Sequence, residues 1–131
     1  MKELKEKTTY LEQYDVTVCD YLTNAQIQQI ANAVTADPDA TWAERQENID
    51  MLMLYHATDI GKEKLEELGH NALVQSGLIA KVRHSIENER DIYDAIEYAE
   101  SPSRLAYKFL SQLPKLLDND MFKAALEKYG K

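Results

Sequence analysis

The sequence predicts an all-α fold, a compact bundle of about five to seven short helices preceded by a short extended N-terminal arm. Three observations point there. Thr23 and Thr41 are each followed three residues later by a glutamine or glutamate, the spacing of a helix-capping box. Apolar residues then recur at i, i+3 and i+4 through most of the chain. Only four glycines and three prolines interrupt 131 residues, and a single stretch reads as extended. Residues 1–22 are assigned to the arm and 23–131 to one helical domain.

Within the arm, Asp15-Val16-Thr17-Val18-Cys19 carries the β-branched residues and the short alternation of a strand. An isolated strand needs a partner; the stretch either pairs with another chain or is simply an ordered arm. Thr23-Asn24-Ala25-Gln26 opens the first helix, with Ile27, Ile30, Ala31 and Val34 on one face, and Asp37-Pro38-Asp39 ends it. Thr41-Trp42-Ala43-Glu44 opens the second, a central helix buried through Ile49, Leu52, Met53 and then His56 or Ala57. Gly61 and Gly69 bracket a charged turn pinned by Leu65 and Leu68. Another short helix starts at Asn71 and stops at Ser76-Gly77, with Leu78 as the closing apolar contact.

Leu78, Ile79, Val82 and Ile86 continue in helical spacing, and Asn88 is the expected cap of a helix carrying Ile92, Tyr93, Ile96 and Ala99. Ser101-Pro102 breaks the chain. Beyond it, Leu105, Phe109, Leu113 and Leu116 form a stripe that Pro114 shortens, and residues 118–129 form a last helix through Met121, Phe122, Ala125 and Leu126.

A domain of this length buries roughly two thirds of the surface its unfolded chain exposes, enough for a core without staples. Cys19 is the only cysteine, which excludes an internal disulfide and suits a reducing compartment. Residues 1–7 are charged throughout, and no apolar run approaches the roughly 20 residues that span a bilayer, so neither a secretory signal nor a membrane segment is expected. The net charge of -8 is unevenly placed. From Glu12 to Ile60 there are nine acids, including Asp15, Asp20, Asp37, Asp39, Glu44 and Glu47, against one base, Arg45. Over the rest, 14 acids face 14 bases. Neutralising phosphates requires a clustered basic surface, so direct nucleic-acid binding is not expected, whereas a basic protein partner is compatible.

Catalytic signals are absent. His56, His70 and His84 lack the i, i+4 pairing of metal ligands on one helical face, and His56 with Asp59 is the nearest approach to a metal pair. Nothing local lowers the thiol pKa of Cys19, since the adjacent Asp20 acts in the opposite sense. Acid pairs such as Asp91 with Asp94 and Glu97 with Glu100 read as solvated helix faces. There is no glycine-rich phosphate loop and no G-x-S-x-G elbow. No catalytic residue, metal ligand or cofactor site is therefore expected. Eight tyrosines exceed what a small helical core needs, and tyrosine is favoured at protein interfaces. Tyr10, Tyr14 and Tyr21 flank the extended stretch. With Asp15, Val16, Val18, Asp20, Asp37, Asp39, Glu44 and Glu47 they form the expected interaction surface.

Three segments in order carry a family likeness: Asp20-Tyr21-Leu22-Thr23 after the arm, Leu54-Tyr55-His56-Ala57-Thr58-Asp59-Ile60, and Leu73-Val74-Gln75-Ser76-Gly77-Leu78-Ile79 followed by Ile86. Together, over about half the chain, they resemble small helical proteins of tailed phages of Gram-positive bacteria, encoded among virion and assembly genes. In that group an aromatic-Thr-Asn-Ile-like ending usually stands where this chain has His56-Ala57-Thr58-Asp59-Ile60. The resemblance implies a non-enzymatic phage protein in the host cytoplasm or the virion, acting through contacts with phage structural proteins, with a homo-oligomer also compatible. The alternative expectation is an acidic, host-directed inhibitor that mimics nucleic acid and blocks the basic groove of a defence or DNA-processing protein. That mimic requires Asp15, Asp20, Asp37, Asp39, Glu44 and Glu47 on one surface.

Overall fold

The computed structural model describes residues 4–102, 105, 106, 109–111 and 113. The chain divides into two compact units, Met1–Glu97 and Tyr98–Lys131. Residues 1–22 lie in the first, where Val16, Val18 and Leu22 join the same buried cluster as the helices.

The fold is mostly helical with a small two-stranded sheet, which corrects the expectation of an all-α chain with a single extended arm. Strand β1 (Thr8–Leu11) pairs antiparallel with β2 (Val16–Cys19), Thr9 opposite Val18 and Tyr10 opposite Thr17. The turn between them is one 3-10 turn, Glu12–Tyr14, closed by Asp15 in the left-handed region (φ 52°), where its N–H donates to the Glu12 carbonyl at 3.2 Å. Aspartate tolerates this conformation better than most side chains. The expected strand thus finds its partner eight residues upstream. Its alternation is real: Val16 and Val18 are buried while Thr17 and Cys19 are half-exposed.

Helices α1 (Asn24–Val34) and α2 (Trp42–Ala57) follow their caps. The Thr23 hydroxyl accepts from the Gln26 N–H at 3.1 Å and the Gln26 side chain accepts from the Thr23 N–H at 2.9 Å. Ile27, Ile30, Ala31 and Val34 are buried as the spacing predicts. On α2 the buried side carries Ile49, Asp50, Met53, Leu54 and Ala57, so the stripe is rotated from the expected one and Leu52 is only half-buried. Short helices α3 (Lys62–Leu68), α4 (His70–Gln75) and α5 (Leu78–Ser85) are separated by Gly69 and Gly77, both at positive φ. At Gly77 the positive φ favours glycine, and a Cβ would also stand a tight 3.3 Å from the Tyr14 hydroxyl.

Helix α6 (Arg90–Ala99) buries Ile92 and Ile96. Asn88 does not cap it by its side chain. Instead its side chain accepts from the Leu22 N–H and donates to the Leu22 carbonyl, both at 2.9 Å, tying the exit of the hairpin to the α5–α6 connection. In the second unit, Leu105, Phe109 and Leu110 are helical and exposed. The expected roles of Leu116, Pro114 and the helix over 118–129 lie outside the described residues.

Candidate functional site

The hairpin is tied to the helices by hydrogen bonds and burial, and these contacts sort the expected interaction residues. Asp20, expected on the surface, is 4% exposed. Its carboxylate accepts from the Thr9 hydroxyl at 2.7 Å, its N–H donates to the Lys7 carbonyl at 2.9 Å, and its carbonyl accepts from the Glu87 N–H at 2.7 Å. An acid in that setting is an anchor. Val16 and Val18 are likewise core residues, because the inward face of β2 packs on the helices. These three are corrections to the sequence-derived surface. Tyr14 is half-buried, its hydroxyl donating to the Ser76 carbonyl at 2.6 Å.

What remains exposed is Tyr10, Asp15, Tyr21, Asp37, Asp39, Glu44 and Glu47. Tyr10 donates to the Asp15 carboxylate at 2.5 Å. Its phenol pKa is raised, first by that hydrogen bond, then by burial and by the nearby charges of Asp15 and Asp59, which disfavour a phenolate. Tyr21 is also raised, chiefly by its hydrogen bond to Glu87, which in turn pairs with Lys7. The carboxylates fall into two groups. Asp15 lies with Asp59 beyond the C-terminal end of α2, whereas Glu44 is in the first turn of that helix and Asp37 and Asp39 precede it. At 1.5 Å per residue the two groups stand about 20 Å apart. With Asp20 buried, the six acids do not form one face.

The second edge of β2 is also occupied. Thr58 makes a bridge to Val18, the Asp59 N–H donates to the Thr17 carbonyl at 3.3 Å, and the Asp59 carboxylate accepts from the Thr17 N–H at 3.0 Å. Helix α2 ends at Ala57, so His56 and Asp59 do not share a helical face and their spacing makes no metal pair. Among the described residues, no group of three or more His, Cys, Asp or Glu side chains is placed to hold a metal ion. Also among them, no helix is long and apolar enough to cross a membrane.

Beside the hairpin turn lies an open groove of 430 Å³. Val16, Leu73 and Leu78 form its floor, Ile60 and the exposed Leu68 its rim, and Asp15, Asp59 and Lys64 its charged walls. A second, smaller groove of 310 Å³ runs along α2 and α3 between Met51, Leu52, Tyr55 and Leu65.

Sequence reasoning missed a polar cluster centred on Asp50, which is 4% exposed. One carboxylate oxygen accepts from Arg83 and from Gln46 (3.1 Å), and the other meets His70 Nε2 at 2.9 Å. Gln46 also donates to the Tyr93 hydroxyl at 3.1 Å. Arg83 Nε approaches Glu89 at 2.8 Å without hydrogen-bond geometry, an ion pair only. Burial holds the Glu89 carboxyl above its usual range, with Arg83 acting in the opposite direction. These groups join α2, α4, α5 and α6: Gln46 lies one turn before Asp50 on α2, while His70, Arg83 and Tyr93 come from the other three helices. A visible signal existed: Gln46, Asp50 and Met53 are spaced as a buried stripe that happens to begin with polar residues.

Comparison with protein families, curated proteins and solved structures found no match to this chain.

Proposed function

We propose that this is a non-enzymatic phage protein that acts through contacts with other proteins, as a virion component, assembly factor or head–tail accessory. The observation that carries the contact role is the hairpin. Its inward side is locked to the core by Asp20 and Asn88, while Tyr10 and Tyr21 remain 58% and 54% exposed on it. Among the described residues β1 pairs with no strand other than β2, so its outer edge is open to an added strand. Large aromatic rings on a rigid element bind at low entropic cost. The phage assignment is supported by the three resembling segments.

The test is affinity capture of the tagged protein from phage-infected cells, washed at low and moderate salt, with captured proteins identified by mass spectrometry. Capsid, portal or tail proteins should be recovered at both salts, and Tyr10→Ala should reduce their recovery about tenfold. Absence of any virion protein would remove the proposal. A basic host protein lost at moderate salt would instead favour the acidic-mimic reading, whose six acids do not share one face although Asp37, Asp39, Glu44 and Glu47 are each exposed.

A further inference from the structure

We infer that the groove between the hairpin turn and helices α3 and α4 takes a protein segment that inserts one large apolar side chain and places a lysine or arginine beside it. This rests on the protein-contact reading above and assigns the partner's chemistry. The groove's volume of 430 Å³ lies in the range of ligand pockets, about 300–1,000 Å³. Its floor is aliphatic, and Leu68 on the rim is 42% exposed, an apolar surface that water wets at a cost.

Charge selects the neighbour of the inserted side chain. Asp15 and Asp59 stand on the hairpin side of the groove, and among the described residues neither pairs with a cation. Their hydrogen bonds come from neutral donors, the Tyr10 hydroxyl and the Thr17 N–H. That both charges are felt at one place is seen at Tyr10, where each disfavours the phenolate. Lys64 on the facing wall is drawn toward Glu67 on its own helix at 3.9 Å, which offsets its charge. The groove therefore offers two uncompensated carboxylates beside an apolar floor. Its hairpin side, with Tyr14, Asp15, Val16, Asp59 and Ile60, comes from the stretch that holds nine acids against one base, whereas the α3–α5 side comes from the charge-balanced remainder, so the negative field lies on the hairpin side and favours a basic group there. A cation held between Asp15 and Asp59 gains charge-assisted hydrogen bonds while its apolar neighbour fills the groove.

The probe is an array of short synthetic peptides with a central Leu, Ile, Met or Phe flanked by Lys or Arg, matched by Glu-flanked and Ala-centred versions. Binding to the full chain is read by fluorescence anisotropy and by amide and methyl NMR shifts. The best Lys- or Arg-flanked peptides should bind at least about tenfold more tightly than their Glu-flanked partners. Shifts should concentrate on Tyr14, Ile60, Leu68 and Leu73. Asp15→Asn with Asp59→Asn keeps both acceptors, and asparagine tolerates the left-handed turn, so the variant should fold normally and bind about fivefold more weakly. Leu68→Asp, at an exposed position, should abolish binding.

Failure of every peptide to bind, indifference to flanking charge, or shifts elsewhere on the molecule would overturn the inference. So would a concentration-dependent dimer that buries the groove, since the occupant would then be a second copy. Equal capture of virion proteins by wild type and the double asparagine variant would leave the protein-contact reading standing and remove the groove from it. Loss of virion-protein capture by the wild type itself would count against the broader reading, with the peptide titration judging the groove independently.

Discussion

At the scale of single residues, the most consequential side chain is one whose role lies in the core. Asp50 is a polar side chain beside an apolar cluster, tolerated because Arg83, His70 and Gln46 surround it. Removing one partner of such a set leaves the rest unpaired and typically costs 3–5 kcal/mol, roughly, but the Arg83 side chain is 33% exposed and can turn to water. Asp50→Ala should therefore lower stability by about 2–3 kcal/mol in urea denaturation at neutral pH. Asp50→Leu with Arg83→Met and Glu89→Gln should recover part of that loss, because the paired charges Asp50, Arg83 and Glu89 are then removed together. A loss below about 0.5 kcal/mol for Asp50→Ala would show that the carboxylate does not hold the helices together. His56 gives a pH signature. Its pKa is lowered by burial, so the unfolded chain takes up its proton first as pH falls. The stability it permits is present above the ordinary value of 6.5 and is lost as pH drops below it toward the folded pKa. Stability of wild type should fall across that window, and His56→Gln should flatten the fall; identical profiles would refute the assignment.

At the scale of elements, local chemistry explains most boundaries. Thr23→Ala removes one acceptor from the first turn of α1 and breaks the reciprocal bond with Gln26, for an expected loss of about 1 kcal/mol in thermal or urea unfolding, whereas Thr23→Ser should be nearly neutral. An unchanged midpoint for Thr23→Ala would mean that tertiary packing alone sets that helix end. The caps, the proline stop at Pro38 and the glycines at 69 and 77 were legible because each is a contact between residues a few positions apart. The hairpin was half legible. Val16, Thr17 and Val18 announced a strand, but its partner Thr8-Thr9-Tyr10-Leu11 is short and follows a charged run, so no alternation stood out. Asn88 shows the limit: its sequence position suits a cap, yet two bonds to the Leu22 backbone claim its side chain.

For the whole molecule, the buried apolar cluster formed by the described residues runs from Val16 to Ile96, within the first compact unit. A chain ending after Ser101, which keeps α6 intact, should unfold in one cooperative transition with a midpoint within a few degrees, about 5 °C, of the full chain by circular dichroism. A broad or absent transition would show that later residues are required for that core. Net charge acts at this scale too, because the uneven placement of -8 charges sets the sign of long-range attraction without setting any one contact. The sequence located the acidic half, but burial of Asp20 and the length of α2 divided its carboxylates into separate places.

By itself the sequence determined the starts of α1 and α2, the stops at Pro38, Gly69 and Gly77, the apolar faces of α1, α5 and α6, the extended run at 16–19 and the acidic bias, since each depends on propensity, capping or spacing within one turn or strand. Only the tertiary structure decided that the arm folds back as a hairpin, that Asp20 and Asp50 are buried, and that Asp15 and Asp59 both line an apolar groove. Those outcomes depend on which distant groups satisfy a buried donor or charge, as Thr9 does for Asp20 and Arg83 for Asp50, and such pairings leave no mark in local spacing.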